Sequence, residues 1–224
     1  MKSTHEIFTT IKSTQLLDDA NAYIHAGKYF DALHCINTYL LLEPADVKGF
    51  LLKGLCYLYT DQAAKARFMF DMALEQHSDN EEAYYCYAEL YKLEMNYEAA
   101  TTYINAAMAC GPESAKYLRF AAELSLLQED YEQAFQLINR AIVTNPFRED
   151  VYYWRALVLI RLQRPAVAIN DLNRSISLNP TYADAYRLRA SLHMQQGNIE
   201  AGLADIKLAQ RHDSLHRSAR KNAA

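Results

Sequence analysis

Small and large apolar residues recur along the chain with a period of 34. Four of the five prolines lie one or two such periods apart, at Pro44, Pro112, Pro146 and Pro180. When these prolines are placed at position 32 of a 34-residue frame, six repeats follow one another without an insertion. The repeats are 13–46, 47–80, 81–114, 115–148, 149–182 and 183–216. Such a fixed period is typical of tandem-repeat proteins.

The sizes of the residues within the frame predict two packed helices in each repeat. Positions 8, 20 and 27 are small in nearly every repeat, whereas position 24 is always large and apolar. The residues at position 24 are Ile36, Phe70, Ile104, Ile138, Leu172 and Ile206. Small residues let two helices approach closely, and the large ones fill the space beside them. We therefore predict a first helix, A, over positions 2–14, a turn near positions 15–16, and a second helix, B, that ends near position 30.

Some positions depart from this pattern. Position 7, which helical spacing places on the packing face of helix A, carries the charged residues Asp19, Lys53 and Arg189, and Tyr39 at position 27 predicts a different packing in the first helix pair. Residues 1–12, with a capping box at Ser3 and Glu6, are expected to extend the first helix. Residues 217–224 are expected to form a basic tail, after a helix-start signal at Asp213.

The repeat resembles the tetratricopeptide repeat family over residues 13–216. The clearest repeat is 115–148, which has the family's characteristic residues at Leu118, Ala121, Ala122, Tyr131, Ala134, Ile138, Ala141 and Pro146. The resemblance implies an all-α fold: a right-handed α-solenoid of antiparallel helix pairs. It also implies a concave groove lined by the A helices, and end repeats that need capping.

Helical geometry separates the packing face of each A helix from its groove face. Positions 4, 7, 8 and 11 lie on one side, and positions 2, 5, 9, 12 and 13 lie opposite, where members of the family face the groove. The groove positions carry apolar residues that folding does not need, together with charged ones. The candidate partner-binding residues are Leu51, Leu55, Tyr59, Tyr85, Glu89, Arg119, Glu123, Tyr153 and Leu157.

An exposed apolar stripe in a groove usually marks a binding site for another protein. Two alternatives remain open. The chain's own N-terminal segment or a second copy covers the stripe, or the stripe has no role.

Composition and motifs exclude several functional classes. The net charge of −4 argues against nucleic-acid binding, and no apolar run approaches the roughly 18 residues that a membrane span needs. The four cysteines form no CxxC pair, and the pair His212 and His216 has no third metal ligand nearby. No nucleotide-binding or hydrolase motif is present. We expect a cytoplasmic, non-enzymatic protein without a cofactor or metal.

The sequence therefore favours an adaptor or chaperone that binds an apolar peptide or helix of another protein in its groove. The alternative is a self-associating scaffold, for example a homodimer, in a larger assembly such as a secretion-related complex. Within the family, the subgroup that captures the C-terminal carboxylates of heat-shock chaperones is disfavoured, because its basic residues are missing here. The groove chemistry is similar to that of the translocator chaperones of type III secretion, which have three repeats rather than six.

Overall fold

The structure, a computed structural model, describes residues 4–222 and the side chains of residues 11–214. The capping box proposed at Ser3 and Glu6 lies outside the described side chains. Between residues 4 and 222 the chain forms twelve α-helices and no strand. No helix in this described part is long and apolar enough to cross a membrane. The fold is all-α, as the repeat pattern predicts.

The helices fall into two compact units of three helix pairs each. The N-terminal unit, Met1–Pro112, contains α1 (Thr4–His25), α2 (Tyr29–Leu42), α3 (Val47–Leu58), α4 (Ala63–Gln76), α5 (Glu81–Leu93) and α6 (Tyr97–Cys110). The C-terminal unit, Glu113–Ala224, contains α7 (Ala115–Leu127), α8 (Tyr131–Thr144), α9 (Glu149–Arg161), α10 (Pro165–Leu178), α11 (Ala183–Gln195) and α12 (Ile199–Asn222). Within each unit, every helix packs against the next one along the chain. The A helices α1 and α3, α3 and α5, and α7 and α9 also lie side by side.

The predicted helix positions are confirmed. From α3 onward, A helices start 34 residues apart, at Val47, Glu81, Ala115, Glu149 and Ala183. The two ends differ from this regular pattern. Helix α1 begins at Thr4, so residues 4–12 do extend the first helix. The helix start predicted at Asp213 is wrong, because α12 runs through it to Asn222 and no glycine or proline after Gly202 interrupts the helix.

The small and large positions of the frame form the core. The alanines at positions 8 and 20 are at most 1% exposed wherever they occur, and Phe70, Ile104 and Ile138 at position 24 are fully buried. Ile206, at the same position of the last pair, is half-buried. Helices within a pair therefore approach closely because one side offers only a methyl group or hydrogen where the other places a bulky side chain.

The turn between the two helices of each pair has one geometry in all six described pairs. Its position-15 residue adopts a left-handed conformation, with glycine at Gly27 and Gly197 and other residues at Asp61, Met95, Glu129 and Gln163. The amide that follows it bonds back to a carbonyl five residues earlier, as Asn96 does to Tyr91. This is the Schellman motif, in which glycine is the preferred left-handed residue.

Replacing Glu129 or Gln163 by glycine is expected to raise the free energy of unfolding by about 0.5–1 kcal/mol each. The left-handed conformation places a Cβ close to the following carbonyl. The free-energy cost of this strain exceeds the cost of the extra conformational entropy that glycine loses on folding. Chemical denaturation of the full chain measures the change. The exposed Gln136, in the middle of α8, is the control, because glycine there is expected to destabilise by about 0.5–1 kcal/mol. Equal destabilisation at all three sites would contradict the prediction.

Position 7 links consecutive helix pairs in the C-terminal unit. The guanidinium of Arg155 in α9 donates to both carboxylate oxygens of Asp171 in α10, at 2.7 and 2.8 Å, and to Asn139 of the preceding α8 at 2.9 Å. Arg189 in α11 makes the same three bonds, to Asp205 at 2.7 and 2.8 Å and to Asn173 at 2.6 Å. Both aspartates are buried. The sequence pattern marks Arg189 only as a departure from apolar packing, and it does not single out Arg155. The structure shows that each arginine joins three helices.

Candidate functional site

The candidate residues of the N-terminal unit lie on α3, on α5 and at Tyr59 directly after α3. The helices α3 and α5 pack side by side. Residues at positions 5, 9 and 13 stand one helical turn apart along each helix and form two stripes. We call the surface formed by Leu51, Leu55 and Tyr59 of α3 with Tyr85, Glu89 and Leu93 of α5 the α3–α5 face. Its most exposed apolar side chains are Leu93, at 54%, and Tyr59, at 42%.

The expectation that Leu51 and Tyr85 are exposed is wrong. Leu51 is 6% exposed and belongs to the core cluster that contains Phe50 and Phe70. Tyr85 is 7% exposed, and its hydroxyl donates to Glu89. Leu51 and Tyr85 are buried where α3 and α5 pack against each other, and the geometry of a single helix does not reveal this contact. Leu55 is half-buried, so its exposure lies between that of the buried Leu51 and that of the exposed Tyr59.

Glu89 lies at the centre of the face, between two tyrosine hydroxyls. Tyr85 donates to its Oε1 at 2.8 Å, and Tyr59 donates to its Oε2 at 3.2 Å. The ring of Tyr59 also stacks on Tyr29 of α2, with 5.5 Å between the ring centroids. Burial and the neighbouring Glu89 carboxylate raise the pKa of Tyr59, so its hydroxyl remains a proton donor at neutral pH.

A cleft of about 400 Å³ opens beside the N-terminal ends of α3 and α5. Its lining includes Leu51, Lys48, His77 and Glu82. One free amide at each of these helix ends is capped, because Asp46 accepts from Gly49 and Asn80 accepts from Ala83. The cleft has an apolar wall and charged edges.

In the C-terminal unit, the charged candidate residues pair with one another. Arg119 donates to Glu123 at 2.9 Å, its Nε lies 3.4 Å from the carboxylate of Asp150, and its guanidinium lies over Trp154. Glu123 is 9% exposed. Arg119 and Glu123 therefore pair with each other on α7, and the contacts of Arg119 with Asp150 and Trp154 link α7 to α9.

Tyr153 and Leu157 of α9 are half-buried rather than open. The ring of Tyr153 lies 5.3 Å from that of Tyr182 and 6.1 Å from that of Trp154, measured between centroids. Burial, with a smaller effect of Asp184, raises the pKa of Tyr153. Packing thus uses most of the surface of this tyrosine.

The sequence analysis left several exposed apolar residues out of the site. Leu93 and Leu127 occupy position 13, where Tyr59 was chosen, so a consistent reading of that position would have found them. Met95, in the turn after α5, is 77% exposed. Further exposed side chains lie outside the groove positions; they include Phe30, Leu41, Phe68, Val143 and Phe147.

Among the described side chains, no group of three or more metal-binding residues occurs. Cys56 and Cys86 are fully buried, and burial raises the pKa of the Cys56 thiol to about 12. Cys110 is exposed.

The chain has similarity to known proteins in sequence pattern and in fold. A family model described as tetratricopeptide repeat matches residues 89–149 and 153–215. The sequence matches none of the curated proteins with which it was compared.

Several solved structures share the fold at low sequence identity. A tetratricopeptide repeat protein from Parabacteroides merdae superposes with a TM-score of 0.71 at 20% identity, over 93% of this chain and 83% of that one. A chain of the APC/C hetero-tetramer Cut9–Hcn1 superposes with a TM-score of 0.76 at 13% identity, over 94% of this chain but only 42% of that one. YrrB, described as a protein with an unusual peptide-binding site, superposes with a TM-score of 0.54 at 18% identity, over 83% of this chain and 97% of that one.

Proposed function

Because the chain belongs to the tetratricopeptide repeat family, we propose that it is a non-enzymatic protein-interaction module that binds an apolar peptide or helix of another protein. Its cellular role is that of an adaptor or chaperone. The main binding surface is the α3–α5 face, and Tyr153 and Leu157 provide a second contact in the C-terminal unit.

One observation carries this proposal. Tyr59 and Leu93 expose about half of their large apolar side chains beside the half-buried Leu55, on a face where folding needs no such exposure. Contiguous exposed apolar side chains of this kind typically mark protein-binding surfaces. The peptide-binding site named for YrrB, a structural neighbour, supports the same interpretation. The cleft beside α3 and α5 is also continuous with the α3–α5 face, since Leu51 belongs to both.

Selection of random peptides displayed on phage against the immobilised full chain tests the proposal. Wild-type protein is expected to enrich peptides with apolar side chains, and fluorescence anisotropy then gives their affinity. The variants Tyr59→Asp and Leu93→Asp are expected to bind the selected peptides at least ten-fold more weakly, because each places a charge where an apolar side chain must be buried.

Phe68→Asp is the matched control. Phe68 is 60% exposed on α4, away from the groove positions, and its replacement is expected to leave binding unchanged. Circular dichroism checks that all three variants are folded. Failure to enrich any peptide, or an equal loss in the Phe68 variant, would overturn the proposal.

Self-association of a scaffold is the second candidate, and the exposed apolar side chains outside the groove positions favour it. Phe30 and Leu41 of α2 are 77% and 82% exposed, and Phe147 is 75% exposed. The mass of the purified protein in solution separates the two functions. A dimer that Leu55→Asp and Tyr153→Asp leave intact but Leu41→Asp dissociates would favour the scaffold.

A further inference from the structure

Two glutamates at the same position of successive A helices have different surroundings. Both Glu89 in α5 and Glu123 in α7 occupy position 9 of the repeat. Arg119, one turn before Glu123, neutralises it. The residue one turn before Glu89 is Tyr85, a neutral donor. Within the described part of the chain, no lysine, arginine or histidine lies within ion-pair distance of Glu89.

The tyrosines orient the Glu89 carboxylate without neutralising it. Each oxygen accepts one hydroxyl hydrogen bond, from Tyr85 and from Tyr59, which holds the carboxylate plane in place. A carboxylate has about four acceptor sites, so about two remain available. The stack of Tyr59 on Tyr29 further restricts the movement of this arrangement.

The physical chemistry of this arrangement favours a cation. A half-buried carboxylate loses part of its hydration, and neutral hydroxyl donors replace only a fraction of it. An ammonium or guanidinium group would bind through charge-assisted hydrogen bonds, which are roughly twice as strong as neutral ones. The faces of tyrosine rings also attract cations within about 6 Å.

We propose that Glu89 binds a lysine or arginine side chain of the bound peptide. This inference rests on the proposed function, since it assigns the chemistry of the partner at the α3–α5 face. Because Tyr59 and Leu93 flank the carboxylate, the recognised segment carries a basic residue next to apolar ones. Apolar contacts then supply part of the affinity, and the charge fixes which segment binds and in which register.

The peptide selection on the full chain also tests this inference. Peptides enriched by the wild-type protein are expected to contain lysine or arginine beside apolar residues. Selection on Glu89→Gln is expected to keep the apolar preference and lose the basic one, because glutamine preserves the shape of the side chain and removes its charge. Selection on Glu89→Lys is expected to enrich aspartate or glutamate instead. Glu75→Gln, which removes the same charge from the exposed side of α4, is the control and is expected to retain the basic preference.

A double-mutant cycle then isolates the contact. The best wild-type peptide is compared with a version in which its basic residue is replaced by glutamine, against wild-type protein and Glu89→Gln. Either single change is expected to weaken binding about ten-fold or more, and the two together little further. Independent effects in the cycle would overturn the inference, as would apolar peptides without basic residues in the wild-type selection. The latter result leaves the proposed function standing, whereas enrichment of no peptide at all removes both.

Discussion

Replacing Asp171 by alanine is expected to lower the free energy of unfolding by about 3 kcal/mol. The change leaves the guanidinium of Arg155, whose side chain is 25% exposed, without its charged partner between α9 and α10. The hydrogen bond to Asn139 remains, and a neutral amide compensates little of the lost charge. Chemical or thermal unfolding of the full chain measures the effect. Asp205→Ala, which removes the partner of Arg189, is expected to give a loss of similar size.

The matched control replaces both partners. The double variant Arg155→Met with Asp171→Val removes both charges at nearly the same total side-chain volume, and it is expected to be within about 1–2 kcal/mol of wild type. This result would assign the cost to the unpaired charge rather than to lost packing. A double variant as unstable as Asp171→Ala would contradict that explanation.

Gly54→Ala is expected to cost about 2 kcal/mol of unfolding free energy, although alanine is the better helix former. A Cβ built at Gly54 in α3 lies 2.3 Å from Cε1 of Phe70, a fully buried ring in α4. The ring has no free space to move into, because it also packs edge-on against Tyr87. The methyl group must therefore push α3 and α4 apart or force Phe70 from its rotamer.

A second substitution should restore stability. In the other five repeats the residue at position 24 is isoleucine or leucine, and position 8 is alanine. The double variant Gly54→Ala with Phe70→Ile reproduces that combination, and we expect it to recover most of the loss from Gly54→Ala. Its unfolding free energy is compared with both single variants in a double-mutant cycle. Additive effects would contradict a direct clash between these positions.

The sequence predicts the helices well because their packing depends on residue size at fixed spacing. Ala88 and Ala122 occupy the same environment in different pairs, as do Ile104 and Ile138, so each repeat gives independent evidence for the others. Gly54 with Phe70 shows that the pattern also contains compensating pairs, which become visible only when two positions are compared within a repeat.

The binding surface is harder to predict, because it depends on contacts between helices rather than on position within one. Leu51 and Leu55 stand one turn apart on the same side of α3, yet the neighbouring helix buries the first and leaves the second half-open. Glu89 and Glu123 share a residue type and a position, and only their partners distinguish an un-neutralised carboxylate from half of an ion pair.

The uniform left-handed turns restrict how the length of this molecule can change. Each turn joins two helices through a fixed Schellman geometry, so one added residue would rotate the following helix by about 100° and carry its alanines out of the core. A loss or gain of 34 residues instead leaves every small and large position in register. We therefore expect the fold to accept the loss or gain of whole helix pairs and to be destabilised by a single residue added within a turn.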